Sequence, residues 1–213
     1  MRNRLHAFDD GTTAMNKRNS LLLAVLATQV FFTQSANSRR HESPETFVAN
    51  GDSLMQSGRY LQAQGEYSKA IKLDKKNPAL FQMRANAEMS DSKFKLAISD
   101  LTKAIKFSPD DANSYRVRSR AYDAIKDFPK EKTDLDKLIA LQPNDAAALL
   151  QRARTNAQLQ KMKDVIADCN HAIDMGLDRQ QLAQLYQLRS TAYKKLGKRS
   201  EAQREQAKYE SLQ

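Results

Sequence analysis

Residues 78–111 read PALFQMRANAEMSDSKFKLAISDLTKAIKFSPDD, and this stretch predicts two short amphipathic helices joined by a turn. Its apolar and small residues recur every three or four positions, which is the spacing of one helical face. They are Phe81, Ala85, Phe94, Ala97, Leu101, Ala104 and Phe107. Pro109 and the two aspartates after it predict the end of the second helix and the start of the next. A hairpin this small cannot bury its apolar stripe alone, so it requires neighbours.

The same pattern returns along the chain at a period of about 34 residues. We number the copies as repeats 1 to 5, and they cover residues 44–77, 78–111, 112–145, 146–179 and 183–213. An insertion of about three residues separates the last two repeats. Small residues recur at the same places, where two helices would cross. A fixed period of this length indicates an array of helical repeats.

Repeats 1 and 2 carry the clearest motif, a large aromatic residue followed by Gly or Ala, Tyr, Ala, an aromatic residue, Ala and Pro at set offsets. In repeat 1 these include Phe47, Gly51, Tyr60, Ala63, Tyr67 and Ala70. On these residues, 44–213 resembles the tetratricopeptide-repeat (TPR) family. Departures are Lys75 in place of a closing proline and Glu131 in place of a small residue. The resemblance implies an all-α, right-handed superhelical solenoid of about five repeats, whose concave face binds other proteins.

The chain is basic, with 35 Lys and Arg against 25 Asp and Glu and a formal net charge of +10. Such a balance can indicate a nucleic-acid or anionic-membrane partner. Here the basic residues are spread through every repeat among acids, and the aromatic residues fall at core positions. We therefore expect a basic solvated surface and no nucleic-acid partner, with a cytoplasmic nucleic-acid-binding repeat protein as an alternative.

Nothing in the sequence indicates catalysis. It has no phosphate-binding glycine loop, no Gly-x-Ser-x-Gly motif and no Cys/His pair with zinc spacing. The three histidines, His6, His41 and His171, are far apart. The single cysteine, Cys169, takes a core place of its repeat and predicts a buried, inert thiol. We expect no enzyme activity, no metal, no cofactor and no small-molecule substrate.

Residues 17–36 have the three-part order of a secretory signal peptide. Two basic residues precede the apolar run Leu21–Phe32, and small and polar residues follow as far as Ala36. The run is short for a membrane span. The pattern predicts a leader over 1–36, a linker over 37–43 and export to a periplasmic or extracellular location. An uncleaved, inner-membrane signal anchor on an assembly factor is the alternative, and Met15 is a second candidate for the natural start.

A ladder of arginines and acids runs through the repeats. The seventh place of each repeat holds Asn50, Arg84, Arg118, Arg152 and Arg189, and the twenty-third holds Glu66, Asp100, Asp134, Asp168 and Glu205. Partly desolvated guanidinium groups need acceptors. Because only repeat 1 has Asn and lacks a preceding repeat, we expect each arginine to pair with the acid of the preceding repeat. Pairing within a repeat is the alternative. Junction pairing leaves Glu205 without an arginine partner, so it predicts that Asp134 matters more for stability than Glu205.

The resemblance also implies that the first helix of each repeat lines the concave groove. The candidate partner-binding residues are Gln82, Asn86, Arg116, Arg120, Leu150, Arg154, Gln187 and Lys194. Basic side chains on one face can hold an acidic peptide or a C-terminal carboxylate. We expect Arg116, Arg120 and Arg154 to act together, with Lys69, Lys103 and Lys137 on the second helices as a comparison set.

Chaperone-binding members of the family share a two-carboxylate clamp of Lys, Asn and Arg side chains. The corresponding places in this sequence hold Val48, Asp52, Met83, Asn113 and Val117. We therefore do not expect the chain to bind chaperone C-termini in that manner.

Overall fold

The structure is a computed structural model, and it describes residues 43–213. The predicted signal peptide, with its apolar run Leu21–Phe32, lies outside the described residues. Within 43–213, no helix has the length and apolar character needed to cross a bilayer. The same residues contain no cluster of His, Cys, Asp and Glu that could hold a metal ion.

Ten helices make up the described part of the chain, two in each repeat, as the sequence predicts. They are α1 (Pro44–Gln56), α2 (Tyr60–Leu73), α3 (Pro78–Ser90), α4 (Phe94–Phe107), α5 (Ala112–Ala124), α6 (Phe128–Leu141), α7 (Ala146–Gln158), α8 (Met162–Ile173), α9 (Arg179–Lys195) and α10 (Arg199–Ser211). Each helix packs against the next along the chain. The first helices also contact one another, α3 with α5 and α7 with α9, so they share one face of the array.

Side-chain caps start the first helix of every repeat. The cap residues Ser43, Asn77, Asp111, Asp145 and Asp178 each accept a hydrogen bond from a backbone N–H of the first turn. Such caps satisfy N–H groups that have no partner inside the helix. In repeat 5 the first helix begins at Arg179, so the inserted residues extend this helix at its N terminus.

One residue with positive φ turns the chain between the two helices of each repeat. These residues are Gly58, Ser92, Lys126, Gln160 and Gly197, with φ between 57° and 74°. A left-handed residue after the last helical turn is a common way to end a helix. Because the turns are alike, the two helices of every repeat meet in the same way.

The core follows the predicted stripe with two exceptions, of which the first is Phe94, a half-buried residue at the start of α4. Phe81, Ala85, Ala97, Leu101 and Ala104 are buried. Phe107, at the end of α4, is 39% exposed, because one face of its ring stacks on Phe81 and the other meets solvent. Cys169 is fully buried as predicted, and burial raises the pKa of its thiol to about 12.

The arginine ladder pairs within repeats, so the expected pairing across junctions is wrong. Arg118 donates from Nε and Nη2 to both carboxylate oxygens of Asp134 in its own repeat, at 2.8 and 2.6 Å. Arg84 pairs with Asp100 in the same two-pronged way, and Arg152 and Arg189 also pair with the acid of their own repeat. Position seven faces the second helix of its own hairpin, which brings this acid closest.

The junction is held instead by the third guanidinium nitrogen. In each of these four arginines, Nη1 donates a hydrogen bond to a polar side chain on the second helix of the preceding repeat. The acceptors of Arg84, Arg118, Arg152 and Arg189 are Ser68, Thr102, Asp136 and Asn170, at 2.9, 3.0, 2.9 and 2.5 Å. In repeat 1 the same place holds Asn50, which is exposed. Each arginine therefore joins three helices.

Glu205 is buried and bonded to Arg189, so the expectation that it lacks a partner is wrong. The basis for ranking Asp134 above Glu205 in stability disappears with it, because both acids are buried partners of an arginine in their own repeat. Glu66 of repeat 1 faces no ladder arginine and pairs with Lys69 at 2.6 Å.

Glu88 is a buried carboxyl beside the ladder. It is 6% exposed, and its Oε2 has no hydrogen-bond partner among the described residues. Burial, reinforced by the charge of Asp100, raises the pKa of Glu88 to about 7, although Arg84 and two lysines oppose the shift. This carboxyl therefore titrates close to neutral pH.

Gly51 and Gly65 offer a matched pair of substitutions. A Cβ at Gly51 would lie 2.5 Å from the ring of the buried Tyr67, whereas a Cβ at Gly65 would meet nothing within 4 Å. We predict that Gly51→Ala lowers the free energy of unfolding by about 1–3 kcal/mol through overpacking. Gly65→Ala should raise it by roughly 0.5–1 kcal/mol through helix propensity. Chemical denaturation measures both, and a stable Gly51→Ala variant would contradict the close packing of α1 on α2.

Glu88→Gln should change how stability depends on pH. The carboxyl holds its proton more tightly in the folded chain than at its ordinary pKa of 4.5, so wild-type stability falls as pH rises from about 4.5 to about 7. The introduced amide cannot ionise, so the stability of the variant does not fall in this way. At pH 8 the free energy of unfolding of Glu88→Gln should exceed that of wild type by roughly 1–3 kcal/mol, and at pH 4 the two proteins should be similarly stable. Thermal unfolding across this range measures the difference, with the exposed Glu210→Gln as the control. Parallel profiles for wild type and Glu88→Gln would contradict the assignment.

Candidate functional site

A cleft of about 860 Å³ opens where repeats 3, 4 and 5 meet. Its walls come from the first helices α5, α7 and α9, together with the start of α6 and the loop before α9. Apolar side chains line part of it, namely Phe128, Leu150, Leu177 and Leu185. The loop before α9 contributes Leu177 to one wall, and Gln181, one of the inserted residues, also lines the cleft. The cleft thus depends on the uneven spacing between the last two repeats.

Three cations stand around this cleft without an acidic partner. The side chains of Arg120 and Lys126 make no hydrogen bond or ion pair with any described residue, and Arg154 only donates to the Gln184 amide oxygen at 3.0 Å. All three are exposed. One exposed acid, Asp123, lies among them. The ladder arginines, in contrast, are each neutralised by a carboxylate. The cleft therefore carries positive charge that the described part of the chain leaves uncompensated.

Glu131 lies at the floor of the cleft and is 2% exposed. Its Oε1 accepts a hydrogen bond from Gln151 Nε2 at 3.0 Å, but its buried Oε2 has no hydrogen-bond partner among residues 43–213. Burial raises the pKa of Glu131, and the charge of Asp123 adds to this, while the side chains of Gln151 and Thr155 partly oppose it. A buried carboxyl with one unbonded oxygen is a costly feature for a structure to keep.

The structure brings together three of the residues that the sequence identifies as candidates. Arg120, Leu150 and Arg154 all line the cleft. Arg116 does not: it forms an ion pair with Asp145 and donates to Gln142 Oε1 at 2.6 Å. Gln82 occupies the same place one repeat earlier and donates to Asp111 and Ser114 at 2.6 and 2.8 Å. Both side chains thus bind the segment that leads into the next repeat.

The other three candidates, Asn86, Gln187 and Lys194, are exposed and lie outside the lining of this cleft. Sequence reasoning missed Lys126, which stands in a turn, and Phe128, which begins a second helix. It noted Glu131 only as a departure from the repeat pattern. That departure was the one available signal, because a carboxyl in place of a small residue at a helix crossing must be buried.

No family model matches the chain, and no curated protein does either. Solved structures do. The fold is similar to a crystal structure of MamA protein, with a TM-score of 0.73 at 21% identity over 79% of this chain and 91% of that chain. It is similar to YrrB, described as a TPR protein with an unusual peptide-binding site, with a TM-score of 0.73 at 15% identity over 85% of this chain and 92% of that one.

A third similar structure covers less of the chain. It is the first TPR of Spaghetti (RPAP3) bound to the HSP90 peptide SRMEEVD, with a TM-score of 0.53 at 26% identity over 55% of this chain and 92% of that chain. At these identities the likeness establishes the fold alone. The described residues thus form an all-helical solenoid of the TPR type, in agreement with the sequence resemblance.

Proposed function

We propose that the chain is a non-enzymatic scaffold or adaptor that binds a segment of a protein partner in the cleft between repeats 3 and 5. The observation that carries this proposal is the set of cations without acidic partners around an apolar surface, at Arg120, Lys126 and Arg154. Similar structures support it, since YrrB is described with a peptide-binding site and the Spaghetti (RPAP3) TPR was solved with a peptide bound.

The charge of the cleft favours an acidic segment as the occupant. Guanidinium groups bind carboxylates with two parallel hydrogen bonds, and these bonds are stronger than those between neutral groups. Arg120 and Arg154 lie on neighbouring first helices, so one segment can reach both. Leu150 lies on the same helix as Arg154 and gives an apolar side chain of the segment a place to pack. A segment that combines carboxylates with an apolar residue fits these groups best.

We also propose export to a periplasmic or extracellular location. This part rests on the sequence of residues 17–36 alone. Sequencing the N terminus of the chain recovered from its own cells tests it. A mature chain that begins near Asn37 supports export, whereas a chain that keeps Leu21–Phe32 supports the anchored alternative.

Neutralising the three cleft cations should weaken partner binding. We predict that the variant Arg120→Gln, Lys126→Gln, Arg154→Gln binds a captured partner roughly threefold to a hundredfold more weakly, because each exposed charge pair contributes roughly 0.2–1 kcal/mol and three act together. Wild-type affinity should also fall as salt rises, since exposed charges are screened over about 10 Å at 0.1 M. Affinity capture with the mature chain, followed by calorimetry on the isolated partner, provides the measurement.

The control variant needs lysines that have no structural partner. Lys69, Lys103 and Lys137 each form an ion pair, with Glu66, Asp100 and Asp110 respectively, so their loss would disturb the array. Lys72, Lys106 and Lys163 are better, because they are exposed on second helices and no described residue pairs with them. Changing these three to Gln removes the same charge. Equal binding by the two triple variants would show that the cleft is not the site.

A further inference from the structure

The floor of the cleft contains a buried carboxyl group. Glu131 is 2% exposed, and the Gln151 amide already bonds to its Oε1. The amide can only donate through its nitrogen, so the second oxygen, Oε2, is the atom free to carry a proton. Oε2 is buried and makes no hydrogen bond of normal geometry with any described residue, although the Thr155 hydroxyl lies near enough to favour the ionised carboxyl. The Thr155 hydroxyl nearby donates to the main-chain oxygen of Gln151.

The charged groups around Glu131 come from two sides of the cleft. From α5 and the turn after it come Arg120, Asp123 and Lys126, and from α7 comes Arg154. None of these cations forms an ion pair with Glu131, whose Oε1 bonds to Gln151, and Arg154 donates to Gln184 instead. Among the lining residues, α9 contributes only neutral side chains. Burial is the largest influence on the pKa of this carboxyl and disfavours its ionised form, as does the charge of Asp123, while the side chains of Gln151 and Thr155 favour the ionised form. No cation among the described residues contacts the carboxyl directly.

We propose that Glu131, in its protonated form, is a specificity-determining residue of the cleft that donates a hydrogen bond from Oε2 to a carbonyl or carboxylate oxygen of the bound acidic segment. The terminal torsion of a glutamate is soft, so the carboxyl group can turn toward the cleft at little cost. The bond would satisfy the atom that the free chain leaves without a partner. This inference rests on the proposed function, because it concerns an occupant of the same cleft.

The opposite occupant makes a different prediction. A basic segment would require ionised Glu131 as an acceptor, and its affinity would rise with pH. The cations Arg120, Lys126 and Arg154 would repel such a segment at the rim, so the charge of the cleft favours the acidic one. With an acidic segment, ionisation of Glu131 removes the donor and adds a like charge beneath the ligand. Affinity should then fall as pH rises.

A peptide library tests this without knowledge of the natural partner. The probe is a displayed library of random 12-residue peptides that lack His and Cys, selected on the full chain at pH 6. We expect the selected peptides to be rich in Asp and Glu and to contain at least one large apolar residue. Their binding should be lost in the Arg120→Gln, Lys126→Gln, Arg154→Gln variant and kept when Lys72, Lys106 and Lys163 are changed to Gln.

One selected acidic peptide is then measured between pH 5.5 and 8.5. For the wild type, we expect the dissociation constant to rise with pH, by up to about tenfold per pH unit once Glu131 ionises, which is the limit for one linked proton. Glu131→Gln keeps a neutral donor of the same shape, so it should retain the low-pH affinity over the whole range. Glu88→Gln, a buried glutamate outside the cleft, should keep the wild-type pH dependence.

Thermal unfolding of each variant at each pH confirms that the chain is folded during the measurement. If Glu131→Gln shows the same pH dependence as wild type while the cleft variant loses binding, the role of Glu131 is rejected and the proposed function stands. The role of Glu131 as a donor is also rejected if the selected peptides are basic and Glu131→Gln abolishes their binding. If no peptide is enriched, or if binding ignores the cleft cations, the proposed function fails and this inference fails with it.

Discussion

The array depends on one arginine in each of repeats 2 to 5. The Nε and Nη2 atoms of this arginine donate to the acid on the second helix of the same hairpin. Its Nη1 atom donates to a side chain of the preceding repeat, as Arg118 shows. One side chain thus fixes both the angle within a hairpin and its position on the previous one. Since a buried charge without a partner is costly, this geometry is strongly specified. Such nearest-neighbour contacts are what stabilise a solenoid, where each repeat contacts mainly the repeats beside it.

The ladder also decides which charges remain for binding. Arg118 and Arg152 alternate along their helices with Arg120 and Arg154, two residues further on. The first pair turns to the second helices and is neutralised there, while the second pair faces the cleft without a carboxylate. Two residues on a helix are about 200° apart, so adjacent arginines serve opposite faces. The basic charge of the chain is therefore divided between holding the repeats together and lining the cleft.

Much of this was readable from the sequence, because period and core pattern are local signals. The helix pairs and the buried Cys169 were both predicted in this way. Three of the groove candidates, Arg120, Leu150 and Arg154, do line the cleft, and their role in binding stays a prediction. The partner of each ladder arginine could not be predicted from the sequence. Position seven lies between two second helices, and the spacing along the sequence does not show which of their acids is nearer to the guanidinium group. Arg116 was misjudged for a similar reason: its acceptors belong to the turn before the next repeat, and only three-dimensional packing brings that turn within reach.

The central claim is that the arginine pairs primarily within its repeat and secondarily across the junction. Two double-mutant cycles at Arg118 measure this most directly, with Arg118→Met combined with Asp134→Asn in one and with Thr102→Val in the other. Chemical denaturation should give a coupling energy of about 2 kcal/mol or more for Asp134 and below about 1 kcal/mol for Thr102, because a charged, buried, two-pronged contact exceeds a single bond to a hydroxyl. Negligible coupling to Asp134, or a larger coupling to Thr102, would contradict the account.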